Sequence, residues 1–144
     1  MVTIRRERTI GAPAEQVFDW LADPANLTAA PLAVKAGWSQ GSAGPAVGAV
    51  RDVLALGFWF REEITAYDPP RSYSYRITRS FPAFGHQGGT LTCIPVAGGT
   101  HVVWDTSYRH PLYGGGALAG AVSSRLLPRS FEAIIAGCAQ ALER

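Results

Sequence analysis

An α+β fold is predicted: a curved antiparallel sheet of about seven strands wrapped around one long C-terminal helix. Three observations predict it. Short apolar runs separated by Gly, Pro and Asp follow one another from residue 50 to residue 109, the pattern of a strand meander. Apolar residues then recur at helical spacing from Leu118 to Leu142. Two short helical signals separate the first strand from the others, which frees it to pair with the last strand.

Val2 to Ile10, closed by Gly11, reads as an edge strand with poor alternation. Pro13 suits the first turn of a helix, and Val17, Phe18 and Leu21 share its apolar face. Glu15 favours the positive end of that helix. Asp23-Pro24 opens a second short helix, with Asp23 as its cap, and Pro31 ends it. Val34 to Trp38 is a strand, and the Gly-rich stretch from Gly41 to Gly48 a loop.

Val50 to Leu56 and Phe58 to Tyr67 form a hairpin at Gly57, and Asp68-Pro69-Pro70 is a turn. From Arg71 to Arg79, Tyr73, Tyr75 and Ile77 alternate with polar residues, so the aromatics point inward. Phe81 to Gly89 reads as a loop, and Thr90 to Val96 and Thr100 to Arg109 as a hairpin across Ala97-Gly98-Gly99. Leu127, Phe131, Ile134, Ile135, Cys138 and Leu142 make one stripe, extended upstream by Leu118, Val122 and Leu126. A helix from Leu118 to Leu142 would be about 37 Å long. Pro128 within it either kinks the helix or starts a new one.

The chain of 144 residues has the size of one domain, residues 1–144, with 47% hydrophobic and 17% charged residues, enough to bury a core. A net charge of +2, spread along the chain, argues against nucleic acid as a partner. The one dense cluster, Arg5-Arg6-Glu7-Arg8, reads as a solvated strand face. Cys93 and Cys138 lie in apolar runs without metal or redox spacing and read as reduced core thiols. No apolar run is long enough to span a membrane and no signal-peptide core is present, so a cytoplasmic protein, monomer or homodimer, is expected. No metal site and no cofactor are expected, since the sequence has no Cys/His spacing for zinc, no phosphate loop after a strand and no nucleophile elbow.

Several stretches together resemble the START-like (SRPBCC) superfamily, in its polyketide cyclase/dehydrase and lipid-transport branch, which has the helix-grip fold. They are Arg8-Thr9-Ile10-Gly11-Ala12-Pro13-Ala14-Glu15-Gln16-Val17-Phe18, Leu21-Ala22-Asp23-Pro24-Ala25-Asn26-Leu27, Val47-Gly48-Ala49-Val50-Arg51, residues 63–71 and residues 98–104. The resemblance covers essentially the whole chain. It implies a Bet v 1-like cavity that takes sterols, lipids, polyketides or hormones. One departure stands out: similar sequences carry a tryptophan soon after the Asp-Pro-x-Asn-Leu piece, whereas this chain has Thr28-Ala29-Ala30-Pro31.

A sheet curled around a helix and held open at one end leaves an apolar cavity, so candidate residues are sought on the inward faces. Alternation along Phe58 to Tyr67 puts Phe58, Phe60, Glu62, Ile64 and Ala66 inward and Trp59, Arg61, Glu63 and Thr65 outward. Glu62 is then a carboxylate among apolar neighbours, which must be paired or protonated. Arg51 is its possible partner, orienting the polar end of a ligand, although a pair on the outer face is an equal alternative. Tyr73, Tyr75, Trp104 and Tyr108 supply flat apolar bodies with polar tips, and Phe60, Phe81, Phe84, Tyr113 and Phe131 extend the lining. Core packing is the plainer role for each of these taken singly.

Three functions compete. The first is binding of a lipid, isoprenoid or polyketide-like molecule, as carrier or sensor. The second is a cyclase, aromatase or dehydratase using Tyr108, His110, His86 or Glu62 as acid or base, although surface-loop histidines are the plainer reading of His86 and His110. His101 alternates away from Trp104 and is expected outside. The third is a protein-interaction module using the outer sheet face, where Trp59 is the residue to watch.

Overall fold

The computed structural model describes residues 2–30, 33–39, 41–42, 44–56, 58–81, 85–109 and 116–143, with the side chains of these except 2, 85–87, 108–109 and 116–127. In chain order come β1 (Val2–Ile10), α1 (Ala14–Ala22), a 3-10 helix (Pro24–Ala29), β2 (Ala33–Trp38), β3 (Val50–Ala55) and β4 (Phe58–Asp68). They are followed by β5 (Ser72–Phe81), β6 (Gly85–Val96), β7 (Gly99–Arg109) and α2 (Gly116–Leu142). The seven strands form one antiparallel sheet in the order β1-β7-β6-β5-β4-β3-β2. This is the curled helix-grip arrangement, with β1 an edge strand on β7 as expected.

Local chemistry explains the N-terminal helices. Pro13, with extended backbone, stands at the N-cap of α1, and Glu15 lies in the first turn. Val17, Phe18 and Leu21 are buried on one face, each contributing roughly 1.5–3 kcal/mol relative to exposure. The Asp23 carboxylate accepts the Ala25 N–H at 3.0 Å, capping a segment that begins at Pro24. That segment is a 3-10 helix.

Helix α2 closes one face of the sheet. Ile134, Ile135, Cys138 and Ala139 are buried in the core with Val102, Leu91, Tyr73 and Trp104. The helix runs on through Pro128, which therefore starts no second helix. Proline lacks an N–H, so one intrahelical bond is missing at that turn. The basic run on β1 is a solvated face: Arg5 pairs with Glu7 and Asp105, and Arg6 with Glu132 at 2.7 Å.

Three expectations change, two of them through a shift of register. Bulges interrupt the β4–β5 ladder between Arg61 and Glu62 and between Ile64 and Ala66. At the second, Thr65 is an extra residue, so Ala66 is exposed and Tyr67 turns inward against Phe18, ring centroids 5.6 Å apart. At the first, Thr78 is the extra residue, so Ser80 pairs with Phe60 and Phe81 with Trp59. Phe81, expected in the lining, is therefore 73% exposed on the outer face. The third concerns the Gly-rich loop. Residues from Gly85 to Gly89 belong to β6 and pair with β7, with a bulge between His86 and Gly88 and a positive φ at Gly88.

Candidate functional site

The sheet brings Arg51 and Glu62 together. They are register partners on β3 and β4, and the Arg51 Nε–H donates to Glu62 Oε1 at 2.7 Å. Arg51 is only 1% exposed. Its guanidinium lies 5.5 Å from the Tyr73 ring centroid and 5.2 Å from that of Tyr75, and Nη1 donates to the Tyr73 hydroxyl at 3.5 Å. Burial alone would lower the arginine's affinity for its proton. The Glu62 carboxylate, with Tyr73 and Tyr75, outweighs that, so its pKa rises above the ordinary value. Among the described residues the Arg51 and Glu62 side chains make no other hydrogen bond, so Arg51 Nη2 and Glu62 Oε2 have no partner there.

A second chain of polar contacts runs through the aromatic wall. The Trp104 indole N–H donates to the Tyr75 hydroxyl at 3.0 Å. Tyr75 donates to Thr106 Oγ1 at 3.5 Å, and Thr106 donates to the Gly88 carbonyl at 3.2 Å. Burial, with the nearby Glu62 charge, raises the Tyr75 pKa and keeps the phenol neutral. Phe131 of α2 stacks on Trp104, centroids 4.2 Å apart, which ties the helix to this wall. The Tyr73 hydroxyl donates to the Leu21 carbonyl at 3.1 Å, one of the carbonyls that the end of α1 leaves without an intrahelical partner.

Of the expected site residues, Arg51, Glu62, Tyr73, Tyr75, Trp104 and Phe131 form one neighbourhood. Phe60 lies half-buried beside Phe58 in a stacked pair. Phe84, His110 and Tyr113 lie outside the described residues, as do the side chains of His86 and Tyr108. Thr106 and the Leu21 carbonyl were not among the candidates. The period-2 alternation from Trp104 marks Thr106 as inward, whereas the Leu21 carbonyl leaves no trace in sequence. His101 sits on the outer face, held by Glu7 at 3.0 Å and Thr9 at 2.9 Å. Among the described residues, no three His, Cys, Asp or Glu are grouped to hold a metal, and no helix is long and apolar enough to cross a membrane.

Among the described residues, strands β5 and β6 are paired from Ser72 to Tyr75. A depression of about 370 Å³ opens there, lined by outward Thr65, Ser74, Arg76, Thr90, Asp105 and Ser107 and reaching Tyr75 and Thr106. It lies on the sheet, and it is not the expected cavity between sheet and helix, whose lining includes side chains outside the described set.

Residues 1–144 match the protein family described as polyketide cyclase/dehydrase and lipid transport. No curated protein matches the chain. Among solved structures, the ZhuI aromatase/cyclase of Streptomyces sp. R1128 superposes with a TM-score of 0.82 at 19% identity, over 99% of this chain and 94% of that one. TTHA0849 of Thermus thermophilus does so with a TM-score of 0.75 at 20% identity, over 96% and 95%. The di-domain aromatase/cyclase BexL of the BE-7585A pathway has a TM-score of 0.73 at 17% identity, over 99% of this chain and 50% of that chain. Identities this low speak for a shared fold.

Proposed function

Because this chain belongs to the polyketide cyclase/dehydrase and lipid-transport family, we propose that it binds one small, largely apolar ligand between sheet and helix, as a carrier or sensor. The observation that carries this reading is the Arg51–Glu62 pair, buried among Tyr73, Tyr75 and Trp104 with a guanidinium donor and a carboxylate oxygen to spare. A buried ion pair is a poor source of stability compared with apolar side chains of the same size. Spare hydrogen-bonding capacity in such a place suits a ligand with one polar end, a carboxylate or carbonyl toward Arg51 or a hydroxyl toward Glu62. The aromatic walls would take the apolar remainder. Residues 1–144 act as one domain in this reading, in the cytoplasm, as monomer or homodimer, with no metal or cofactor.

Native mass spectrometry of the purified chain with a fatty acid, an isoprenoid alcohol and a hydroxylated polycyclic aromatic tests the proposal. A one-to-one adduct is expected with at least one of them. Its affinity should fall about tenfold in Arg51→Met, the worth of one charge-assisted hydrogen bond. No adduct with any class would end the proposal.

A second reading is catalysis on a polyketide-like chain, favoured by the same pair: Glu62 can accept a proton and Arg51 can stabilise a developing oxyanion. Tyr108, His86 and His110 remain its other candidates for acid or base. Turnover of a β-polyketone thioester, lost in Glu62→Gln and kept in a binding-only variant, would choose this reading over carriage.

A further inference from the structure

We propose that the outer face of the sheet, at the end where β3 turns into β4, docks onto an anionic lipid bilayer. The register aligns Lys35, Leu54, Trp59 and Phe81 as successive neighbours across β2, β3, β4 and β5. Partners across a ladder point to the same face, so these four side chains form one row. Leu56, in the turn that follows β3, is exposed as well. Leu54, Leu56 and Phe81 are 46%, 63% and 73% exposed. Helix α2 packs on the opposite face, and among the described residues nothing covers this one.

The row is apolar, but its surroundings are basic. The next row holds Asp52, Arg61 and Arg79, and beyond it Glu63 faces Arg76 in register. Arg61 is held by Asp52 at 2.9 Å and lies over the Trp59 ring, 5.4 Å from its centroid. Lys35, Arg76 and Arg79 have no ion pair with the described residues. Across β2 to β5 these rows therefore set four cations, Lys35, Arg61, Arg76 and Arg79, beside two carboxylates, Asp52 and Glu63, a local excess of +2.

That combination selects among possible occupants. Two leucines and a phenylalanine exposed to this degree offer on the order of 300 Å² of apolar surface, if a large side chain presents roughly 150–250 Å². A stable protein partner covers about 800 Å² on each side, so the row is small for a second copy of the chain. A bilayer asks for less. A few apolar side chains enter the headgroup boundary, an aromatic ring sits at that level, and Lys and Arg meet anionic headgroups. The proposal is independent of ligand binding inside the fold and stands whether or not a ligand is carried.

Vesicle flotation is the test, comparing phosphatidylcholine alone with phosphatidylcholine and phosphatidylglycerol in roughly equal parts. The protein should float with the anionic vesicles and stay behind with the neutral ones. Binding should fade as the screening length shrinks from about 10 Å at 0.1 M salt toward 3 Å at 1 M. The double variant Leu56→Asp/Phe81→Asp should bind at least about tenfold more weakly, with an unchanged circular dichroism spectrum because both positions are exposed. Arg79→Glu should lower binding to anionic vesicles while leaving the neutral baseline alone. Equal flotation of wild type and double variant, or none with anionic vesicles, overturns the proposal. So does a dimer in sedimentation that the double variant abolishes while vesicles remain unbound, since the row would then serve a second copy of the chain.

Discussion

The Arg51 guanidinium and the Glu62 carboxylate face each other across adjacent strands at 2.7 Å, and both side chains are buried, 1% and 11% exposed. Removing one partner leaves the other as an uncompensated buried charge, which costs about 3–5 kcal/mol. Arg51→Met should therefore destabilise the fold by that amount, while Arg51→Met/Glu62→Leu should recover most of the loss. Urea denaturation of the two variants beside wild type decides it. If the single and double variants are equally unstable, the pair contributes packing and not charge compensation.

The pair was legible in sequence as two residues, and its geometry was not. Alternation put Glu62 inward, and the choice of Arg51 as partner depended on a register that a hairpin centred near Gly57 sets. Inward Tyr73 and Tyr75, inward Trp104 and the helix stripe around Ile134 followed from period alone, because nothing interrupts those segments. Phe81 and Ala66 did not, since one extra residue, Thr78 or Thr65, reverses every side chain beyond it. Neither threonine announces a bulge. The β6 start was hidden for a related reason: Gly85, Gly88 and Gly89 read as breakers, yet hydrogen bonds to β7 keep them in the sheet.

Trp104 depends on Tyr75 for an acceptor. In Tyr75→Phe the buried indole N–H loses the hydroxyl that receives it at 3.0 Å. An unsatisfied buried donor costs about 1–3 kcal/mol. The variant should unfold at lower urea by that difference, and the Trp104 emission should move to shorter wavelength as its polar partner goes. An unshifted midpoint would mean that another acceptor takes over the indole proton.

Gly89 keeps that hydroxyl in place. A β-carbon built there would stand 2.5 Å from Tyr75 Cζ and 2.6 Å from its hydroxyl oxygen. The ring is packed and rigid, so Gly89→Ala must displace it, with an overpacking penalty of about 1–3 kcal/mol. Gly37 on β2 has nothing within 4 Å of the same position, and Gly37→Ala should be neutral or slightly stabilising. Thermal melts of the two variants provide the contrast. Equal melting temperatures would show that the ring yields without cost.

The two thiols set a pH dependence. Cys93 and Cys138 are buried in the core, and burial pushes both up from 9.0 to about 12, with Cys93 and Glu143 adding to the effect at Cys138. Between those values the unfolded chain releases thiol protons that the folded chain retains, so rising pH favours unfolding. Each thiol adds a slope of at most about 1.4 kcal/mol per pH unit, beginning near pH 9. The neutral Tyr75 phenol acts in the same direction at higher pH. Urea midpoints at intervals from pH 8 to about 11 should therefore decline. The decline should be shallower in Cys93→Ala/Cys138→Ala, whatever packing energy the double substitution loses at neutral pH. A slope identical in both proteins would place the titrating groups elsewhere. Native thiols should also resist a disulfide reagent at pH 8 until the chain unfolds, because a thiolate is the reacting species and burial suppresses it.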